Sequence, residues 1–160
     1  MVYEIYTDGA TSNNGYENSY GGWAWVLIEG DTLLLRNSGF IDKATNNICE
    51  LTAIAEACER AVQEIEPEDK VIVYSDSAYC VNCYVQKWYR RWMINGWKTS
   101  KKEPVANKEL WKRLIPFFEK ENFTFFKVKG HSGNKEKHGY WNDIVDNMAV
   151  EAKYAAGGIE

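Results

Sequence analysis

Apolar and polar positions alternate at the start of the chain, which is typical of a β-strand. Residues 2–6 show this alternation and Asp8 follows them, so the pattern predicts a strand that delivers a carboxylate at its end. The next segment, residues 10–19, is rich in Asn, Ser and Gly and is predicted to be a turn. Residues 20–28 and 32–40 continue the strand pattern, and we expect an antiparallel meander.

The apolar positions change to helical spacing after the third strand. They keep this spacing up to Pro67, and Thr45 or Asn46 is a suitable N-cap. Residues 71–74 are nearly all apolar, which is typical of a strand buried on both faces, and Asp76 follows them. The remaining predicted elements are a helix from about residue 78, a helix at 107–120, a strand at 123–128 and a helix at 140–155.

This order of elements indicates a single α/β domain across residues 1–160. The chain is 45% apolar and 14% aromatic, which is enough to build a core. It has no apolar run near the ~20 residues that a membrane span requires, and its start lacks the composition of a signal peptide. We therefore expect a cytoplasmic protein that needs no membrane. Four cysteines are few for a disulfide scaffold of this size, so we expect reduced thiols.

The charges are unevenly distributed along the chain. The net charge is -4, but residues 87–113 contain nine basic residues and two acids, so this segment carries +7 and the remainder -11. Such a segment can attract a polyanion while the acidic remainder holds cations. Its interleaved Trp88 and Trp92 favour packing on nucleic-acid sugars or bases over a merely solvated helix face. We call the part of this segment at about residues 87–107 the basic protrusion.

Four acids could converge on one edge of the predicted sheet. Asp8 and Asp76 each follow a strand, although either alone is more simply a turn residue. Glu50 lies on a largely apolar helix face, where a charge must be paired or ligated. Asp146 and Asp143 lie on nearly the same side of the last helix, and spacing alone does not choose between them.

An oxygen-only ligand set favours a hard cation, Mg²⁺ or Mn²⁺, over Zn²⁺. Two such ions can activate water and stabilise the leaving oxygen of a phosphodiester, so phosphodiester hydrolysis is the predicted reaction class. His131 lies in a loop and could move protons, although a solvated loop histidine is equally expected, whereas His138 is predicted to be a surface residue. The pair Cys80 and Cys83 is best interpreted as two small buried helix residues.

Nearly the whole chain, roughly residues 2–152, resembles type 1 ribonuclease H of the bacterial form with a basic protrusion. Five motifs occur in the family's order, which is far more specific than any one of them. They are Thr7-Asp8-Gly9; Thr45-Asn46-Asn47 with Glu50; Ser75-Asp76-Ser77; Val128-Lys129-Gly130-His131; and Asn142 with Asp146.

The resemblance implies a ribonuclease H-like fold, in which helices flank a mixed five-stranded sheet of three antiparallel strands followed by two parallel ones. It also implies endonucleolytic hydrolysis of the RNA strand of RNA–DNA hybrids, with 5′-phosphomonoester products. Two Mg²⁺ ions would be held by Asp8, Glu50, Asp76 and Asp146, which favours Asp146 over Asp143. By the same resemblance His131 assists proton transfer or product release.

The resemblance further implies contacts to the hybrid, made by a monomer without an obligate protein partner. Asn47 and the turn near Asn14 would contact RNA, whereas Thr45 and Asn107 would hold a DNA phosphate and Trp88 and Trp92 would pack on the DNA strand. The complete set of expected nucleic-acid contacts is Gly9, Asn14, Lys43, Thr45, Asn47, Trp88, Trp92, Lys98, Lys101, Lys102 and Asn107.

Two departures from the family pattern concern these contacts. The turn after Asp8 is about three residues longer than usual and has Gly15 where a proline is common, so Asn13, Asn14 and Asn18 compete for one role. Ala78 replaces a common glutamine, which removes one minor-groove contact. Two other hypotheses remain: a catalytically silent hybrid-binding module, and a DNA nuclease of the same fold, such as a resolvase or integrase core.

Overall fold

Five strands and five helices make up the described parts of a computed structural model, which comprise residues 1–128 and 137–155. None of the helices in these parts is long and apolar enough to cross a membrane. The strands are β1 (Val2–Ser12), β2 (Tyr20–Glu29), β3 (Thr32–Asp42), β4 (Lys70–Ser75) and β5 (Phe123–Lys127). The helices are α1 (Asn46–Glu64), α2 (Ala78–Gln86), α3 (Trp88–Asn95), α4 (Lys108–Phe118) and α5 (Lys137–Ala155).

The strands form one mixed sheet in the order β3-β2-β1-β4-β5. The pairs β1/β2 and β2/β3 are antiparallel, whereas β1/β4 and β4/β5 are parallel. This confirms the predicted fold class of three antiparallel strands followed by two parallel ones. The central strand β1 therefore has an antiparallel neighbour on one side and a parallel neighbour on the other.

Alternation along the strands divides the core between the two faces of the sheet. Ile5 and Leu27 belong to the larger cluster, which includes α1, α2 and α4. The intervening Tyr6 and Val26 face α5 and pack in a smaller cluster with Trp141. The site-bearing strand β1 is thus covered by α1 on one face and by α5 on the other.

The first strand is longer than the sequence pattern predicts. β1 passes through Asp8 and continues to Ser12, because Gly9 to Ser12 pair with Trp23 to Tyr20 of β2. Pairing with β4, in contrast, ends at the Tyr6/Tyr74 pair. Asp8 is therefore a mid-strand residue that lies just beyond its parallel neighbour, and the expectation of a strand end at Asp8 was wrong.

Candidate active site

Three of the predicted carboxylates meet at the point where β4 ends. Asp8 projects from β1, Glu50 from the first turns of α1, and Asp76 follows β4. One oxygen from each side chain lies within 4.8 Å of the others. Asp8 is only 2% exposed, whereas Glu50 and Asp76 are partly exposed. The cluster is therefore a partly buried concentration of negative charge that can be reached from solvent.

Gly9 allows Asp8 and Glu50 to approach each other. A Cβ atom at position 9 would lie 2.6 Å from Cβ of Cys49 and 2.8 Å from the backbone nitrogen of Glu50. Since no side chain fits at this distance, α1 packs directly on the backbone of β1. The Gly9 amide also donates a 2.8 Å hydrogen bond to Oδ1 of Asp8. This residue, predicted as a nucleic-acid contact, thus also shapes the carboxylate cluster.

The fourth predicted carboxylate, Asp146 on α5, reaches the same place. It shares a hydrogen bond with the side chain of Asp8. Asp143, one turn earlier, is exposed. The geometry therefore favours Asp146 over Asp143 as the partner of the cluster, and acids from β1, α1, α5 and the turn after β4 lie together.

The C-terminal half of α5 is held against the sheet by a second close approach. A Cβ atom at Gly22 of β2 would lie 2.6 Å from the backbone nitrogen of Lys153 and would also overlap the carbonyl oxygen of Ala149. Both obstacles are helix backbone, which cannot turn aside as a side chain can. Gly22 therefore sets how closely the helix that carries Asp146 lies on the sheet.

Polar contacts hold the other end of α5. Lys137 forms an ion pair with Glu4, and Nδ1 of His138 is hydrogen-bonded to the hydroxyl of Tyr6. The His138 ring also lies 4.6 Å from the ring of Tyr74. His138 is exposed, as predicted, but it also anchors the first turn of α5, and sequence reasoning did not foresee this contact.

The clustered acids oppose one another's ionisation. Burial, the nearby Asp76 and the hydrogen bond with Asp146 raise the pKa of Asp8 to about 8, against the smaller opposing effect of the Gly9 amide. Burial, followed by the charges of Asp8 and Asp76, also raises the pKa of Glu50 well above its ordinary value. A bound cation would offset this repulsion.

The ligand atoms fit a hard divalent cation. Oε1 of Glu50 is buried and has no hydrogen-bond partner within the part of the chain that the structure describes. An orphaned carboxylate oxygen is costly to bury, and coordination to a metal removes that cost. Asp8, Glu50 and Asp76 provide only oxygen atoms, the ligands that Mg²⁺ and Mn²⁺ prefer.

His131 lies outside the described residues. It belongs to the segment 129–136, which includes most of the predicted Lys129-Gly130-His131 motif. Its role in proton transfer or product release remains a prediction from the resemblance.

The long Asn-rich turn packs on the start of α1 through Asn14. Oδ1 of Asn14 accepts a 3.0 Å hydrogen bond from the backbone nitrogen of Asn46, and the hydroxyl of Thr11 contacts the Asn46 side chain. Asn13 adopts a left-handed backbone conformation with φ of 58°. Of the three competing asparagines, Asn14 therefore lies beside α1, with its Nδ2 group left to donate.

Thr45, Asn47 and Lys43 surround this junction. Oγ1 of Thr45 caps α1 by accepting a 3.1 Å hydrogen bond from Ile48, which leaves its hydroxyl hydrogen to donate. Asn47 is partly exposed in the first turn, and Lys43 is exposed before the cap with φ of 54°. These predicted substrate contacts thus form a continuous polar edge next to Glu50.

Three neighbouring tryptophans with tilted rings form the base of the basic protrusion. The rings of Trp88 and Trp92 lie 6.4 Å apart, and those of Trp92 and Trp97 lie 5.8 Å apart. All three are partly buried against the larger core. One part of each ring therefore packs in the protein, and the other part is accessible to solvent. The ammonium groups of Lys108 and Lys112 each lie 5.9 Å from the Trp97 ring.

The predicted phosphate contacts of the protrusion lie at its surface. Lys98 pairs with Pro104 to close a short hairpin, which presents the exposed Lys101 and Lys102. Asn107 precedes α4 and makes no side-chain capping bond. A cavity of about 690 Å³ is lined by residues of this region, including Trp88, Trp92 and Lys98. The cavity is distinct from the carboxylate cluster.

The four cysteines take no part in the site. Cys49, Cys58, Cys80 and Cys83 are all free and buried, which confirms the expected reduced thiols. Burial raises the pKa of the Cys83 thiol to about 12 and that of Cys80 further still. The pair in α2 is thus two small core residues, as predicted.

Sequence reasoning did not single out Gly22 and Tyr16. Gly22 was not marked by any motif, because a close approach between backbones leaves no signal in a hydrophobic pattern. Tyr16 is 73% exposed in the Asn-rich turn. The sequence did contain a signal for Tyr16, because an aromatic residue is unusual within a polar turn.

Comparisons with known proteins agree on one family. The sequence profile described as RNase H matches residues 1–154. A curated relative, ribonuclease H of Clostridium botulinum, is 43% identical over 148 residues, which cover 92% of this chain and 93% of the relative.

Two solved structures show the same fold at low sequence identity. The solution structure of the PFV RNase H domain has a TM-score of 0.74 at 24% identity and covers 96% of this chain and 94% of its own. The foamy viral protease-reverse transcriptase in complex with RNA/DNA hybrid has a TM-score of 0.78 at 21% identity, with 96% of this chain and 20% of that chain covered.

Proposed function

The chain is a hydrolase of the ribonuclease H family, and we propose that it cleaves the RNA strand of RNA–DNA hybrids by a two-metal-ion mechanism. The observation that carries this proposal is the carboxylate cluster, with its raised pKa values and an orphaned oxygen on Glu50. Such a cluster is costly unless cations occupy it. The proposed ligands are Asp8, Glu50, Asp76 and Asp146.

The cations supply the positive charge that lowers the pKa of a water molecule and stabilises the leaving oxygen of a phosphodiester. We propose Mg²⁺ as the physiological ion, with Mn²⁺ as a substitute. Asp8 is the least exposed of the four acids and lies beside the other three, so it would hold the metal ions from the centre of the cluster. His131 would move a proton or assist product release.

The surface around the cluster supports a duplex substrate with two different strands. The polar edge of Asn14, Thr45 and Asn47 offers hydrogen-bonding groups suited to RNA 2′-hydroxyls. The basic protrusion offers lysines for phosphates, and its tryptophans offer a packing surface for a DNA strand. A relative with this fold has been solved with an RNA/DNA hybrid, which supports the same substrate class here.

Three labelled duplexes test the proposal: an RNA–DNA hybrid, an RNA duplex and a DNA duplex, each with Mg²⁺ and with a chelator. We expect cleavage of the hybrid alone, only with Mg²⁺, and products with 5′-phosphates. Cleavage of DNA alone would favour the resolvase-like hypothesis, and binding without cleavage would favour the silent module. Titration of Mn²⁺ against Mg²⁺ in the same assay ranks the two metals.

We further propose that the protein acts in the cytoplasm as a single-domain monomer without an obligate partner. Light scattering of the purified chain, alone and with hybrid, should give the mass of one copy. A stable dimer would contradict this.

A further inference from the structure

The Asn-rich turn between β1 and β2 borders an open surface groove, and Lys43 is its one lining residue among the expected nucleic-acid contacts. The groove has a volume of about 720 Å³ and is lined by Tyr16, Glu17, Asn18, Ser19 and Lys43. It therefore joins the turn to the segment that precedes α1. Lys43 already belongs to the polar edge beside the carboxylate cluster, so the groove extends that edge outward.

The turn holds Tyr16 in a defined backbone position. The Tyr16 amide donates a 2.9 Å hydrogen bond to the Asn13 carbonyl, and the Tyr16 carbonyl accepts a 3.1 Å hydrogen bond from Ser19. Asn14 fastens the same turn to α1 through Asn46. The backbone is thus fixed on both sides of Tyr16, while its ring is 73% exposed.

An exposed ring on a fixed backbone is suited to binding. An aromatic side chain loses little conformational entropy when it is immobilised, since it has only two side-chain torsions. The ring lies in one groove with Lys43, whose ammonium can pair with a phosphate. Aromatic and cationic groups side by side are the usual means of holding a nucleic-acid strand without reading its sequence.

The turn that borders the groove begins four residues along β1 from Asp8. β1 runs four residues from Asp8 to Ser12 before the turn begins, or ~13 Å at the usual rise of a strand. For a duplex that lies along β1 and advances ~3.4 Å per base pair, this distance corresponds to roughly four base pairs. A duplex placed over Asp8 would reach the turn if it extended at least that far on one side.

We propose that this groove is a further nucleic-acid subsite, in which Tyr16 packs on a sugar of the bound duplex and Lys43 pairs with a neighbouring phosphate. The subsite rests on the proposed function and adds a contact remote from the reacting bond. Such a contact stabilises the substrate and the transition state equally, so it lowers KM and leaves kcat unchanged. Glu17 lines the same groove and opposes the phosphate.

The experiment uses DNA duplexes in which a few consecutive ribonucleotides fix the cleavage position. One substrate has flanks of about ten base pairs on both sides, and two others are cut to about two base pairs on the left or on the right flank. Tyr16→Ala should raise KM about fivefold on the long substrate with kcat unchanged. The effect should vanish on one of the two shortened substrates, and Tyr16→Phe should behave as the unmodified protein.

Tyr140→Ala is the matched control, because Tyr140 is a 57% exposed tyrosine on α5. On the long substrate, Glu17→Gln should lower KM and Lys43→Gln should raise it. The subsite is refuted if Tyr16→Ala matches Tyr140→Ala, or if its effect persists on both shortened substrates.

Binding separates this subsite from the proposed function. Fluorescence anisotropy in chelator gives Kd for the same duplexes without any cleavage. A length-dependent loss of affinity in Tyr16→Ala supports the subsite even if the protein cuts no hybrid, which would refute only the proposed function. Equal Kd values for Tyr16→Ala and Tyr140→Ala refute the subsite even if the protein cuts hybrids normally.

Discussion

Asp8 is a position at which the proposed function conflicts with the stability of the fold. It lies in the middle of a strand, is nearly inaccessible and lies beside acids from two helices and from the turn after β4. Its environment favours the protonated form, whereas the proposed reaction needs the charged form with a cation. The same residue should therefore have opposite effects on stability and on activity.

Asp8→Asn should abolish hybrid cleavage while raising the stability of the metal-free protein. Asparagine keeps the size of the side chain and an oxygen acceptor for the Gly9 amide, and it is neutral without having to bind a proton on folding. We expect turnover to fall by at least about a hundredfold. Activity assays and thermal unfolding in chelator measure the two effects, and near-normal turnover would contradict the assignment of Asp8 as a metal ligand.

The stability of the metal-free protein should depend on pH through Asp8. The pKa of Asp8 is about 8 in the folded state against an ordinary value of 3.8. The folded state therefore holds a proton that the unfolded state releases, and this contribution is complete below pH ~4 and is lost as pH rises towards 8. The pKa values of Asp69 and Glu119 are lowered in the folded state. These two carboxylates therefore stabilise the fold near neutral pH, and this stabilisation is lost only when the pH falls into the acid range.

Thermal unfolding in chelator between pH 5 and 8, about the window set by these pKa values, checks this prediction. The midpoint of the unmodified protein should fall relative to Asp8→Asn as pH rises, and Mg²⁺ should reverse the loss. A constant difference between the two proteins across this range would contradict it.

At the scale of elements, the site depends on how closely two helices approach one sheet. α1 packs on β1 at Gly9, and α5 packs on β2 at Gly22. Each approach brings one acid towards Asp8: Glu50 from α1 and Asp146 from α5. Because glycine has no side chain, each helix contacts the backbone of its strand directly. This contact sets the distance between helix and sheet.

Gly22→Ala should push α5 away from the sheet and move Asp146 with it. The added methyl group meets helix backbone, so we expect the free energy of unfolding to fall by about 1–3 kcal/mol. The concentration of Mg²⁺ that gives half-maximal cleavage should also rise. Ser38→Ala, on the exposed edge strand β3, is the control, and urea unfolding with Mg²⁺ titration distinguishes the two variants.

The sequence predicted the type and order of the elements better than their limits. β1 extends past Asp8 because Gly9 to Ser12 find partners in β2, and pairing between strands is not visible in a local pattern. The chain also breaks between α2 and α3, where Lys87 adopts a left-handed conformation with φ of 56°. A lysine gives no warning of such a break, since glycine is the residue expected there.

For the molecule as a whole, charge separation is the property most visible in the sequence. The segment 87–113 carries +7 on a chain of net charge -4. The structure places part of this charge on a hairpin and helix beside the clustered tryptophans. The acidic remainder includes the carboxylate cluster. Proposed metal binding and proposed substrate binding therefore lie on regions of opposite charge.

Neutralising Lys98, Lys101 and Lys102 together should weaken hybrid binding and reduce its salt dependence. Each lost phosphate contact lowers the slope of log Kd against log salt by about 0.9, so we expect a decrease of up to about three. The control replaces Arg60, Lys70 and Lys120, which are exposed and lie outside the basic protrusion. Equal slopes for both variants would show that the protrusion is not the binding surface.

Much of the candidate site could be anticipated because its residues occur in ordered motifs. Asp8, Glu50 and Asp76 are far apart in sequence, and helix and strand periodicity alone left each with an ordinary structural explanation. That these three acids lie together became visible only in the folded structure. What no pattern predicted were contacts between elements, such as Gly22 beneath α5 and His138 on Tyr6, because these depend on how helices dock.

Because its thiols are buried, the native chain should be unreactive towards cysteine reagents. Cys49, Cys58, Cys80 and Cys83 should give no reaction with a chromogenic disulfide reagent in the folded state and should all react in denaturant. A rapid native reaction of any of them would contradict this. A single cysteine introduced at an exposed position such as Lys102 could then carry a fluorophore as the sole label, without removal of any natural cysteine.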